Sequence, residues 1–201
     1  GIGMLLVLFC CRADPDPMLA SVEQDDSLRV MIEKRIAEKK RLDEMRRELF
    51  SGHMGRAIER YKPIIKKYSK HYGMDWRLIV AQIIQESGFR EQARSRVGAH
   101  GLMQIMPRTA REISNELDIE YIMKSPRENI TAGIYHLRKQ YRHFPEAEYP
   151  DRTRLALASY NAGAGRVFDA QDIAEYYRLS PNKWKAVHPY LKKLKKSDWE
   201  L

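Results

Sequence analysis

Glu86 has the makings of a general acid. It falls three positions after Ile83 and seven after Ile79, on the apolar stripe Trp76, Ile79, Val80, Ile83 and Ile84. A helical period therefore turns it toward the interior. It also stands at the C-terminal end of that stripe, just before Gly88, where the helix dipole disfavours negative charge. Burial and the dipole both raise a carboxyl pKa. An acid still protonated near neutral pH can give its proton to a leaving oxygen. Taken alone, the position also describes a helix-end glutamate that points to water.

Gln104 and Asn161 each carry a paired amide donor and acceptor, and Tyr160 carries a hydroxyl able to hold an acid or a developing charge. Each could instead close a structural hydrogen bond in a loop or cap. The six histidines are scattered without metal-like spacing, in keeping with an expectation of no metal or organic cofactor.

Helices must position these groups. Ile58, Tyr61, Ile64, Ile65, Tyr68 and Tyr72 mark one helix face, stopped by Gly73. Asp75 suits the N-cap of the Glu86 helix, and Gly88 breaks it. Pro107 suits the first turn of a helix bearing Ala110, Ile113 and Leu117. Ser125-Pro126-Arg127-Glu128 reads as a capping box opening a helix along Ile130, Ile134, Leu137 and Tyr141. Asp151 is expected to cap a further helix, through Leu155 to Tyr160, ended by Gly163. No segment alternates as a strand. The expected fold class is all-α, with its core over roughly residues 54 to 170 and a charged helical extension before it.

The extension runs from Leu28 to Leu49, dense in both charge signs and ended by Ser51-Gly52; a solvated helix is expected. Residues 12 to 27, with Asp14-Pro15-Asp16-Pro17, read as a linker. The expected divisions are 1–27, a signal-like stretch and linker; 28–53, the charged extension; and 54–201, the chemical domain. The 201 residues carry a formal net charge of +9, which favours anionic partners without choosing among them. The two cysteines, Cys10 and Cys11, are adjacent and give no disulfide framework. They follow the short apolar run Met4 to Phe9, which is too short to span a bilayer. The run looks like the end of an export signal at a lipidated cysteine; the plainer alternative is an apolar tail with no targeting role.

The stretch from Glu86 to Pro107 resembles the signature of the lysozyme-like lytic transglycosylases: Glu86-Ser87, Phe89, Ala93, Ser95, then Gly98-Ala99, Gly101-Leu102-Met103-Gln104 and Met106-Pro107. A second block, Tyr160-Asn161-Ala162-Gly163, matches that family's Tyr-Asn-Ala-Gly motif. The resemblance covers about residues 56 to 170. The segment from Asp172 to Leu194 looks closest to the branch of membrane-bound lytic transglycosylase F.

The resemblance implies a lysozyme-like all-α domain with a cleft between the Glu86 helix and a Tyr160 loop. It implies Glu86 as the catalytic acid and Ser95 as the serine that orients it. Gln104 and Met106 would line sugar subsites, and Tyr160 and Asn161 would flank the cleavage point. The partner implied is the glycan strand of peptidoglycan, cut without water to leave 1,6-anhydromuramyl ends. The setting implied is the periplasmic side of the bacterial envelope, with a membrane tether through Cys10 or Cys11. No second carboxylate lies in either motif except Glu91, which stands where the family has proline. Relatives also usually continue past a segment like Trp184–Leu194 to an aromatic stretch that helps close the groove, a place Tyr190 could take. The competing readings are a goose-type-lysozyme-like hydrolase and a catalytically silent wall-binding domain. Nucleic acid is not an expected partner, because the lysine run Lys192 to Lys196 lacks interleaved aromatics.

Overall fold

A computed structural model of the chain describes residues 26–194. Cys10 and Cys11, and with them any tether, lie outside the described residues, as does the end of the lysine run. The chain divides into two compact units, 1–52 and 53–201.

In the first unit, helix α1 spans Asp26–Phe50. Its apolar positions Val30, Met31, Ile36 and Leu42 are exposed, so it is the solvated charged helix its composition predicts. Ser51 closes it with its hydroxyl on the Glu48 carbonyl at 3.1 Å.

The second unit is built from α2 (Gly52–Tyr72), α3 (Trp76–Ser87), α4 (Pro107–Leu117), α5 (Pro126–Arg142), α6 (Asp151–Ala162), α7 (Ala164–Tyr176) and α8 (Trp184–Lys193). Among the described residues there is no strand, only isolated antiparallel bridges in the loop after α3, Arg94 to His100 and His100 to Ile105. None of the described helices is long and apolar enough to cross a membrane.

The stop and start signals work by their expected chemistry. Asp75 accepts from the Arg77 amide at 2.8 Å and caps α3. Gly88 ends that helix in the left-handed region, φ 58°, returning its amide to Ile84, a conformation that costs glycine little. Ser125 caps α5 by accepting from the Glu128 amide at 3.3 Å. The reciprocal half of the box is altered, since the Glu128 carboxylate accepts from the Tyr121 amide at 2.5 Å. One expected cap is corrected: Pro150 occupies the N-cap of α6 and Asp151 lies inside the first turn. The Asp151 carboxylate accepts instead from the Trp184 amide at 3.3 Å, so it joins the starts of α6 and α8.

The core gathers Ile58 and Ile65 of α2, Ile79 and Ile83 of α3, Ile113 of α4, Ile130, Ile134 and Leu137 of α5, and Leu155 of α6. It continues past residue 170, the expected limit, through Ala174 of α7 and Val187 of α8. α5 packs on α4 and α6, and α6, α7 and α8 pack on one another.

Candidate active site

α3 delivers Glu86 to the interior edge by its period. Ile79 and Ile83 are fully buried, and Glu86, one turn on, is half-buried. Burial raises the Glu86 carboxyl above its ordinary value, and the neighbouring Gln82 amide, one turn back, opposes the rise. That amide is itself buried and makes no hydrogen bond of ordinary geometry, so burial dominates. Among the described residues no charged side chain perturbs Glu86.

The next residue fixes the wall that Glu86 faces. The buried Ser87 hydroxyl donates to the Leu102 carbonyl at 2.9 Å. The adjoining Met103 is held from two further helices: its amide donates to Asn129 Oδ1 of α5 at 2.8 Å. Its carbonyl accepts from the Tyr160 hydroxyl of α6 at 2.7 Å. The Asn129 amide nitrogen donates to the carbonyls of His100 and Ile122, at 3.0 and 3.1 Å. Glycines make this approach possible. A Cβ on Gly101 would lie 2.5 Å from Asn129 Nδ2, and one on Gly133 would lie 2.5 Å from Met103 Cβ. Leu102 and Met103 are fully buried core residues, as their types predict.

Tyr160 therefore stands on the last turns of a helix, not on a loop. Burial first, and then the charge of Glu86, hold its phenol well above the ordinary tyrosine range. Part of the ring stays accessible, so the burial is that of the hydroxyl end. The His136 ring of α5 packs against it with centroids 5.0 Å apart. Burial, and secondarily Lys139, lower the His136 pKa to about 4. The two rings that pack together here, Tyr160 and His136, are thus both neutral at pH 7.

The other expected residues turn their polar atoms to the loop's own backbone. Ser95 Oγ accepts from the Ala99 amide at 2.9 Å, and among the described residues no hydrogen bond joins it to Glu86. Gln104, in the left-handed region at φ 46°, donates from Nε2 to the carbonyls of Ala93 and Gly101, at 3.1 and 2.9 Å. Asn161 is exposed and donates to the Leu157 carbonyl at 3.1 Å. Met106 precedes α4 with its side chain 39% exposed, an uncommon state for methionine that leaves it free for contact.

Sequence reasoning missed Asn129 and His136. Neither lies in a motif, and only the tertiary structure gives each its partner. Glu91 also has a part beyond local loop geometry. Its carboxylate accepts from the Tyr61 hydroxyl at 2.5 Å and from Arg60 at 2.8 Å, tying the loop to α2. Tyr190 stacks on Tyr177, centroids 5.8 Å apart and ring planes nearly parallel at 4°.

The transglycosylase SLT domain model matches residues 63–184, so the likeness runs further toward the C-terminus than the motifs alone imply. A membrane-bound lytic murein transglycosylase F of Stutzerimonas stutzeri is 37% identical over 153 residues, 75% of this chain and 30% of its own. One of Desulfosudis oleivorans is 40% identical over 146 residues, 71% of this chain and 30% of its own. The crystal structure of the 70 kDa soluble lytic transglycosylase of Escherichia coli aligns with 28% identity and a TM-score of 0.49, covering 66% of this chain and 22% of that one. The chain spans about 30% of the length of the curated relatives it matches. It belongs to the transglycosylase SLT domain family.

Proposed function

We propose that this chain carries a peptidoglycan lytic transglycosylase, which breaks the bond between N-acetylmuramic acid and N-acetylglucosamine without consuming water. The observation that carries the reading is Glu86: one half-buried carboxyl, raised chiefly by burial, with no charged group among the causes of that rise within the described residues. Two-carboxylate glycosidases place their second group about 5 to 9.5 Å away, as nucleophile or as base for water. The motif's other carboxylate, Glu91, is occupied by Tyr61 and Arg60. A single acid must then do both proton transfers.

Protonated Glu86 gives its proton to the glycosidic oxygen as the C1–O bond breaks. The substrate's own acetamido group supports the cationic C1. The Glu86 carboxylate then takes the proton of the muramyl C6 hydroxyl as that oxygen bonds to C1. The anhydro ring closes, and the acid returns to its starting state. Tyr160, with its phenol kept neutral, and the amides of Gln104 and Asn161 are suited to sugar hydroxyls and acetamides, and Met106 to a sugar face. Ser95 is suited to orient the acid once substrate reshapes the loop. The domain scheme that fits is a charged helical extension over 28–53 and a catalytic domain over 54–201.

The named relatives are membrane-bound murein enzymes, which supports a place in the bacterial envelope; the periplasmic side follows from the proposed substrate, and a lipid tether at Cys10 or Cys11 from the apolar run before them. Digestion of purified peptidoglycan tests the function. Released muropeptides should carry anhydro ends, lighter by one water than hydrolytic products. Products heavier by that water would establish a hydrolase instead.

A further inference from the structure

Helix α2 carries a cationic stripe that the Glu86 chemistry does not use. Arg56, Arg60, Lys67 and Lys70 recur at helical spacing, so they share one face over about 21 Å of helix. Three cavities lie along this face, of about 460, 380 and 570 Å³. The first two share Arg60 and Tyr61, and the second and third share Lys67, so they adjoin one another as a groove along the helix. Arg90 and Arg127 add charge from the loop after α3 and from α5. Glu86, Gln104 and Tyr160 line none of the three.

The charge of this groove is largely uncompensated. Glu91 is the one carboxylate lining these cavities, and Arg60 and Tyr61 already hold it. That bond and burial push the Tyr61 phenol up to about 12, burial being the larger cause. Among the described residues Arg56, Lys70, Arg90 and Arg127 have no ion pair. Arg90 is nonetheless fixed, its Nε donating to the Ser87 carbonyl at 2.9 Å, which leaves its outer nitrogens to face a ligand. The floor is aromatic, with Tyr61 and Phe89 stacked at 6.5 Å between centroids. Like charges three and four residues apart repel weakly on a helix, so a bound anion would relieve the repulsion that Glu91 leaves uncompensated.

We propose that this groove is a second binding site, apart from the reacting centre proposed at Glu86, for the carboxylate-bearing peptide side chains of a peptidoglycan strand. The identity of the ligand rests on the function proposed above. In that polymer the sugar hydroxyls and acetamides are neutral, and the negative charge resides on the peptides. Guanidinium groups take carboxylates in paired hydrogen bonds, and the Tyr61–Phe89 floor suits the aliphatic parts between them. The concave, chain-like shape fits a polymer segment better than a flat bilayer surface. Arg90 lies four residues from Glu86, within about 15 Å along the chain, so one strand can reach both sites.

The test uses the full chain bearing Glu86→Gln, so that substrate survives, with and without Arg56→Gln, Lys67→Gln and Lys70→Gln together. Fluorescent glycan strands, with peptides intact or stripped by an amidase, report binding by anisotropy. Exposed ion contacts are worth about two- to fivefold each, so the triple variant should bind intact strands about tenfold more weakly. It should bind stripped strands as before, and with Glu86 restored it should turn them over as before. Circular dichroism checks that the variant is folded. Equal affinity for intact strands, or equal losses on both strands, overturns the proposal. So does tighter binding of the parent to phosphatidylglycerol vesicles than to intact strands. Failure of the enzymatic reading appears separately, as wild-type digests without anhydro ends.

Discussion

The Tyr160 hydroxyl donates to the Met103 carbonyl at 2.7 Å, joining residues 57 positions apart. Through this bond the last turns of α6 and the loop after α3 form one wall beside Glu86. Tyr160→Phe keeps the ring and its packing on His136 but removes the donor. A buried acceptor left unsatisfied costs about 1–3 kcal/mol, so the melting temperature should fall. Turnover should drop less than on loss of Glu86. Thermal unfolding monitored by circular dichroism, beside muropeptide release, checks both.

Glu86→Gln should cut anhydromuropeptide release by about 10²- to 10⁴-fold, the range of acid–base assistance. The fold should be kept, since the shape barely changes. Retention of more than about a tenth of wild-type release would show that Glu86 is not the acid. Stability should respond in the opposite sense. Burial raises the folded-state pKa of Glu86, so its stability contribution is complete in acid and is lost as pH rises through that folded value. The variant should therefore gain melting temperature over wild type at pH 8, with the gain absent at pH 4.

His136 works the other way. Its pKa falls from 6.5 to about 4 on folding, so its contribution is complete above 6.5 and is lost as pH falls through 4. His136→Gln should flatten the dependence of melting temperature on pH between those values. A melting curve series from pH 4 to pH 7 with unchanged slope would count against a buried neutral imidazole.

Asn129→Ala should be the most damaging change outside the reacting groups. It removes three hydrogen bonds, to Met103, His100 and Ile122. The buried Met103 amide and the Ile122 carbonyl then lack partners, while the His100 carbonyl still accepts from the Ile105 amide at 3.0 Å. With each of the two orphans worth about 1–3 kcal/mol, the loss should be at least about 2 kcal/mol. Urea unfolding measures it. Activity per folded molecule should also fall, because the wall beside Glu86 loses one of its supports.

Much of this arrangement is legible in the residues alone. The stripe Ile79, Ile83 and Glu86 has helical spacing, and Asp75, Gly73, Gly88 and Ser125 punctuate the chain by backbone rules that hold locally. What is not legible depends on distant partners. Asn129 reads as an ordinary polar residue until Met103, 26 positions away, meets it. Asp151 looks like a cap, yet the Trp184 amide claims it. α7 opens with Ala164-Gly165 and alternates small and polar residues, a pattern with little periodic contrast, so sequence reasoning ends the core too early. Gln104 combines a residue type suited to sugars with a left-handed backbone, which no local pattern foretells.

One strut runs between the groove and the cleft. Arg90 Nε holds the Ser87 carbonyl, and the Ser87 hydroxyl holds the Leu102 carbonyl. Ser87, next in sequence to Glu86, thus bonds to a residue lining the groove through its carbonyl and to the loop after α3 through its hydroxyl. Linkage then imposes reciprocity: whatever factor an occupied groove adds to the affinity of the cleft, an occupied cleft adds to the groove. A strand released at one place is still held at the other, and its local concentration at the vacated place is set by the short span between them. If both proposals hold, a strand would stay held between successive reactions, and Ser87 would be the residue common to the two grips.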